Sequence, residues 1–260
     1  MTALGHNSQA AWVLLVVLAF INAVISGALG MGGGSLFVGS LRLVLPTQAA
    51  VVFVHATVQL VSNFSRTLAY WHDVRWRQLA PFLIPCALTP PLGLWLLQHG
   101  GEGGLTLTMG VFLLAVPWFP NDARVPLSPR LSMVVAGTIA GAGGMLIGAT
   151  GLVVAPFFRA EGMDRRGFVG TKALAQAAGH VVKVAWFLAL GRELLPGDAE
   201  LARLGVVIAV MAGATVVGTV VGERWARGMA EQRFVAVFRV VVGGLGLVLV
   251  GQAGRLLGWW

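Results

Sequence analysis

The 260-residue chain is 57% hydrophobic and 11% charged, with a mean hydropathy of +0.83. Soluble domains are normally about a quarter charged, so this composition excludes an ordinary water-soluble fold and places the chain in a bilayer. The net charge of +8 comes from arginines scattered over short polar connections, which excludes nucleic acid as a partner, and the single cysteine, Cys86, excludes an internal disulfide, a Cys-x-x-Cys pair and a thiolate metal cluster.

No Lys, Arg, Asp or Glu occurs from Met1 to Leu41. This run is too long for a signal-peptide core and lacks a basic start, so it is expected to stay in the mature protein. Residues 11–46 form an apolar element broken by Gly30-Met31-Gly32-Gly33-Gly34-Ser35. Broken helices at membrane depth are tolerated only where the freed backbone faces protein or a wet cavity. A helix restarting after the break would offer unpaired N–H groups and a positive dipole end to an anion; close helix packing through small residues is the alternative reading.

Residues 47–70 follow as a helix with a polar stripe: His55, Gln59, Asn63, Arg66 and Tyr70 stand at offsets 0, 4, 8, 11 and 15. At 3.6 residues per turn these fall within about 80° of one face. Two plain apolar helices come next, at 79–98 and 105–119. A second Gly-broken element at 131–160 carries Gly148-Ala149-Thr150-Gly151, and a second striped helix at 165–188 carries Lys172, Gln176, His180, Lys183 and Phe187 at the same offsets. Two more plain helices, 204–222 and 235–254, close the chain; Gly213, Gly218 and Gly222 suit tight packing in lipid.

The chain is therefore one unit written twice. A shift of 117 positions aligns Ser26–Arg66 with Gly143–Lys183 without a gap, pairing Gly34 with Gly151, Arg42 with Arg159, Gln59 with Gln176 and Arg66 with Lys183. The expected fold is an all-α polytopic membrane protein of two inverted repeats, residues 1–120 and 121–260, each a Gly-broken helical hairpin plus three transmembrane helices. Arginine counting selects hairpins over single crossings. If both broken elements return to the side they enter, Arg75, Arg77, Arg124, Arg130, Arg159, Arg165, Arg166, Arg224, Arg227, Arg233 and Arg239 share one face. Only Arg42, Arg192, Arg203 and Arg255 remain on the other. The arginine-rich face is cytoplasmic by the positive-inside rule, and both termini are then outside the cytoplasm. Eight of the nine tryptophans fall near segment ends, as an aromatic belt requires, with Trp95 deeper.

A polar stripe on a lipid-bathed helix must face protein or water, and a charged residue at bilayer depth marks a functional site by default. Arg66, Lys172 and Lys183 are the three such charges, and all ten acids lie in the connections. Antiparallel stripes bring His55 level with Lys183, Arg66 level with Lys172, and Gln59 to Gln176. Arg66 and Lys172 also have stems long enough to snorkel. The candidate substrate-binding residues are thus Gly30, Gly32, Gly33, Gly34, Ser35, His55, Gln59, Asn63, Arg66, Gly148, Thr150, Gly151, Lys172, Gln176, His180 and Lys183. With no carboxylate at depth for proton or sodium coupling, an inside-negative potential worth about 2.3 kcal/mol per 100 mV is enough to drive a monoanion outward.

The Gly30–Gly34 element followed by Pro46, Ala49-Ala50 and a polar helix, then Val74-Arg75-Trp76-Arg77, resembles the first half of the sulfite exporter TauE/SafE family, also called the four-toluene-sulfonate uptake permeases. Gly148 to Gly151, Pro156 and Thr171-Lys172-Ala173 resemble its second half, with Thr150 and Leu152 in place of residues that would open the turn further. The resemblance implies a permease in a bacterial inner membrane that exports sulfite or an organosulfonate. The expected partners are a small anion and the lipid bilayer, with a homodimer left open; no cofactor, metal or catalysis is expected. The alternatives are a membrane-integral haem or redox protein using His55 and His180 as axial ligands, and a non-transporting scaffold subunit.

Overall fold

The computed structural model describes residues 8–29, 33–119, 125–159, 163–225 and 231–260; Gly30, Gly32, Arg124 and Arg227 lie outside them. The described chain is helical, without strands. Its elements are α1 (Ser8–Leu29), α2 (Gly33–Val44), α3 (Gln48–Ala69), α4 (Trp76–Leu88), α5 (Pro90–His99), α6 (Glu102–Ala115), α7 (Pro129–Thr138), α8 (Gly144–Ile147), α9 (Gly151–Val154), α10 (Arg165–Leu190), α11 (Asp198–Trp225) and α12 (Glu231–Leu256). A π turn, Ile139–Gly143, joins α7 to α8.

Five helical stretches are long and apolar enough to cross a bilayer: Trp76–His99, Pro129–Ile147, Arg165–Leu190, Asp198–Gly222 and Ala236–Leu256. The protein is a multi-pass membrane protein. The first of these is α4 and α5, divided at Thr89, where Pro90 and Pro91 bring no N–H to continue the helical ladder. Helix α3 has spanning length, but its polar stripe lowers its hydropathy. Both striped helices start from a side-chain cap: Thr47 Oγ1 accepts from Ala50 N, and Asp164 Oδ1 accepts from Gly167 N. Thr47 and Asp164 are 117 positions apart. The cap satisfies an otherwise orphaned N–H and sets where each stripe begins.

Four pairs of helices carry the packing: α3 with α10, α6 with α12, α1 with α11, and α7 with α4. Exchanging the two halves of the sequence leaves this scheme unchanged. The α3–α10 pair is antiparallel, because Phe53 meets Phe187 near one end and Gly170 sits on Tyr70 at the other. Glycines make the closest approaches. Gly27 lies against the Thr219 carbonyl and Gly137 against that of Phe82, leaving no space for a Cβ. Gly218 likewise packs on Phe20, whereas a Cβ on Gly213 would meet nothing within 4 Å, so Gly213 is not at a helix contact.

Arg42 is the exception to the reading of loop arginines. Helix α2 runs on to Val44, and Arg42 in its last turn is buried. Its guanidinium donates to Glu102 at 3.1 Å, Thr106 at 2.7 Å, and the Leu45 and Pro46 carbonyls, while Glu102 also accepts from Gln48 N. This knot ties the end of α2 and the start of α3 to the start of α6. Removing it in Arg42→Met should cost about 1–3 kcal/mol, because buried acceptors lose their donors. A lowered thermal midpoint in detergent, with bilayer insertion unchanged, would register the loss.

Candidate functional site

The cavity between α3 and α10 is built from both broken elements and both stripes. It is lined by Gly34 and Ser35 from α2, by His55, Gln59, Asn63 and Arg66 from α3, by Gly148, Thr150 and Gly151 at the second break, and by Lys172, Gln176, His180 and Lys183 from α10. Thirteen of the sixteen sequence-derived candidates therefore share one space. Gly33 is buried at the start of α2 and does not line it, and Gly30 and Gly32 fall outside the described residues.

Two hydrogen bonds fix the deep end. His55 Nε2 lies 3.1 Å from the Gly34 carbonyl; a carbonyl only accepts, so the imidazole N–H donates. Lys183 Nζ donates to the Gly148 carbonyl at 2.8 Å. Gly148 turns the chain at φ +91°, a conformation that L side chains rarely adopt, and this turn aims its carbonyl at the ammonium. A Cβ on Gly148 would also stand 3.6 Å from His55 Nδ1, so His55 and Lys183 reach the same turn from opposite helices. The His55 and His180 rings pack edge to face, 5.6 Å between centroids, each with a buried Nδ1 that has no partner among the described residues.

Toward the other end lie Arg66 and Lys172. Lys172 Nζ sits 5.7 Å from the Phe168 ring centre, and Arg159 flanks the same ring at 4.8 Å, both within cation–π reach. Side chains on a helix lean toward its N-terminus, so Lys183 and Arg66 both reach back toward the middle of the cavity, where Gln59 and Gln176 stand. Lys172 and Lys183 are each less than a tenth exposed, and among the described residues neither forms an ion pair with an acid. Among the described residues no carboxylate lines the cavity.

The two breaks are unequal. Helix α2 restarts for 12 residues and places Gly34 and Ser35 of its first turn on the cavity, at the positive end of its dipole. The restart at Gly151 is one turn, α9, followed by the 3-10 turn Ala155–Phe158. Pro156 is the reason, since proline within a helix removes a donor and clashes with the preceding turn. The expectation of a helix dipole at both breaks therefore applies to the first alone. Ala155–Phe158 then packs back on α7, and Phe158 meets Phe82 of α4 at 5.5 Å.

The cavity volume is about 50 Å³. About 10–15 Å³ of such space holds one water, so the site takes a few waters or an anion of a few heavy atoms. There is no room for a macrocycle between His55 and His180, which removes the geometric basis for a bis-histidine haem. Sequence reasoning missed the apolar wall of Phe82, Ala140, Leu152, Val154, Phe158 and Ala175, whose residue types carry no signal apart from ordinary core. Gly34 offers a test of occupancy. A Cβ there would stand 3.5 Å from His55 Nε2 and 3.6 Å from Gln59 Nε2, in ordinary contact. Gly34→Ala should insert and fold normally, while Gly34→Leu should fill the space and reduce transport to background.

The model of a family described as Sulfite exporter TauE/SafE matches residues 14–249. Among curated proteins and among solved structures there is no significant match.

Proposed function

Because this chain belongs to the sulfite exporter TauE/SafE family of membrane transporters, we propose that its central cavity carries a compact sulfur oxyanion, sulfite or a small organosulfonate, out of a bacterial cytoplasm. One observation carries the reading: Arg66, Lys172 and Lys183 line a single space with no lining carboxylate among the described residues. Burying the Lys172 and Lys183 ammoniums, which pair with no acid among the described residues, is costly unless an anionic occupant completes the charge balance. The backbone N–H groups at the start of α2 and the amides of Gln59, Asn63 and Gln176 complete a donor-rich lining.

The transport path runs between two inverted repeats, each contributing a hairpin and a striped helix. The 117-residue shift, the matched caps and the exchange-invariant packing support this arrangement. An alternating-access cycle, in which one repeat rocks against the other, would expose this site to each side in turn. The small volume favours sulfite over bulkier sulfonates. A net-negative cargo can be driven outward by the inside-negative potential alone.

Purified protein in liposomes, assayed with sulfite, thiosulfate, sulfoacetate, taurine and formate, tests the proposal. Sulfite is expected to move saturably and to be slowed by other compact oxyanions, with taurine, a zwitterion, excluded. Flux no greater than in protein-free liposomes for every compound would overturn it.

Orientation has its own test in a Cys86→Ala background. A cysteine at position 75 should resist an impermeant thiol reagent applied from outside the cell, and one at position 100 should react, because the arginine-rich connections face the cytoplasm. The reverse pattern would invert the proposed direction.

A further inference from the structure

Resting on the permease reading above, we propose that the cavity takes its oxyanion together with one proton, and that His55 is the residue that enforces this. His55 donates Nε2–H to the Gly34 carbonyl, so the neutral ring keeps a lone pair on Nδ1. That Nδ1 is buried, has no partner among the described residues, and lies against the Gly148 turn, whose carbonyl holds Lys183 Nζ. An acceptor and an ammonium with two remaining N–H groups therefore face the same spot.

A fully ionised oxyanion has only acceptors to offer. Its oxygens satisfy Lys183 but meet the Nδ1 lone pair with another lone pair, leaving both unpaired where the anion has displaced the few waters that the cavity holds. One proton between Nδ1 and the oxygen resolves the conflict. Either the anion brings an O–H that donates to Nδ1, or the imidazole takes up the proton and donates to the oxygen. The two arrangements have the same composition, nothing is oxidised or reduced, and the proton leaves with the anion. For sulfite the transported unit carries one negative charge.

The other ionisable groups facing His55 come from two helices. Helix α10 presents His180, ring to ring, and Lys183. Helix α4 presents Cys86, against Gly179. Helix α2, the Gly148–Thr150 turn and α9 present backbone and uncharged side chains at the cavity. Among the described residues no acid is available to share the proton.

The charge moved per sulfite in proteoliposomes reads this out, with current measured under voltage clamp alongside isotope flux at equal pH on both sides. One elementary charge per sulfite is expected both near pH 6 and near pH 8. A ratio rising toward two at the higher pH, where the bath contains mostly the dianion, would overturn the proposal while leaving the permease intact. Absence of saturable flux at either pH would overturn the permease reading, and this inference with it. His55→Gln supplies a second readout: its amide can donate to Gly34 and its carbonyl can accept an O–H, but it cannot take up a proton. Flux should fall by about tenfold or more near pH 8, where the ring must supply the proton, and by a smaller factor near pH 6. Equal losses at both would reduce His55 to a structural role and contradict the proposal.

Discussion

Lys183→Gln is expected to reduce sulfite flux at limiting substrate by about tenfold to a hundredfold, with little change in thermal midpoint. A charge-assisted hydrogen bond contributes about 1.5–3 kcal/mol, and each 1.4 kcal/mol is a factor of about ten in affinity. Glutamine, one bond shorter, still offers an N–H toward the Gly148 carbonyl, which Lys183 Nζ now holds at 2.8 Å, and deletes the charge. The effect should therefore fall on substrate affinity and not on folding. An unchanged affinity with unchanged voltage dependence would make Lys183 a structural residue and remove the electropositive site.

Gly148→Val is expected to abolish transport and to lower stability. At φ +91° any L residue is strained, a cost of order 1–3 kcal/mol, and the first added carbon would stand 3.0 Å from Val38 Cγ2. Relief of that strain must rotate the turn, which carries the carbonyl away from Lys183 and crowds His55. Gly148→Ala should show the conformational part of the loss with less steric crowding. Gly213→Ala, on a helix face with nothing within 4 Å, is the control and should change neither flux nor thermal midpoint. Full activity in Gly148→Val would detach the turn from the transport path.

The polar stripes were the legible part of the sequence. Charges and amides recurring at helical offsets inside apolar runs report both the helix and the face that avoids lipid, and α3 and α10 follow the expected spans closely. Thr47 and Asp164 mark their starts by ordinary capping chemistry. The unequal restarts were half-legible. Pro156 follows Gly151 too closely for a long helix to continue through it, but the glycine pattern alone suggested two equal breaks.

Other features carried no local signal. Arg42 reads as a connection residue because it stands near an apolar end, and only the distant Glu102 and Thr106 explain its burial. Phe82 and Phe158 read as core, since nothing local distinguishes an aromatic that walls a cavity from one that fills it. Trp95, set deeper by its place in an apolar run, lies one turn from the end of α5 and stacks on His99 at 4.8 Å.

Counterflow of isotopically labelled sulfite into liposomes containing either the unaltered protein or Lys183→Gln, each preloaded with unlabelled sulfite, tests the central claim most directly. The unaltered protein should accumulate label transiently and saturably, and the substituted protein should need about ten or more times the sulfite for the same initial rate. Equal rates at every concentration, or no accumulation by the unaltered protein, would contradict an anion path through this cavity.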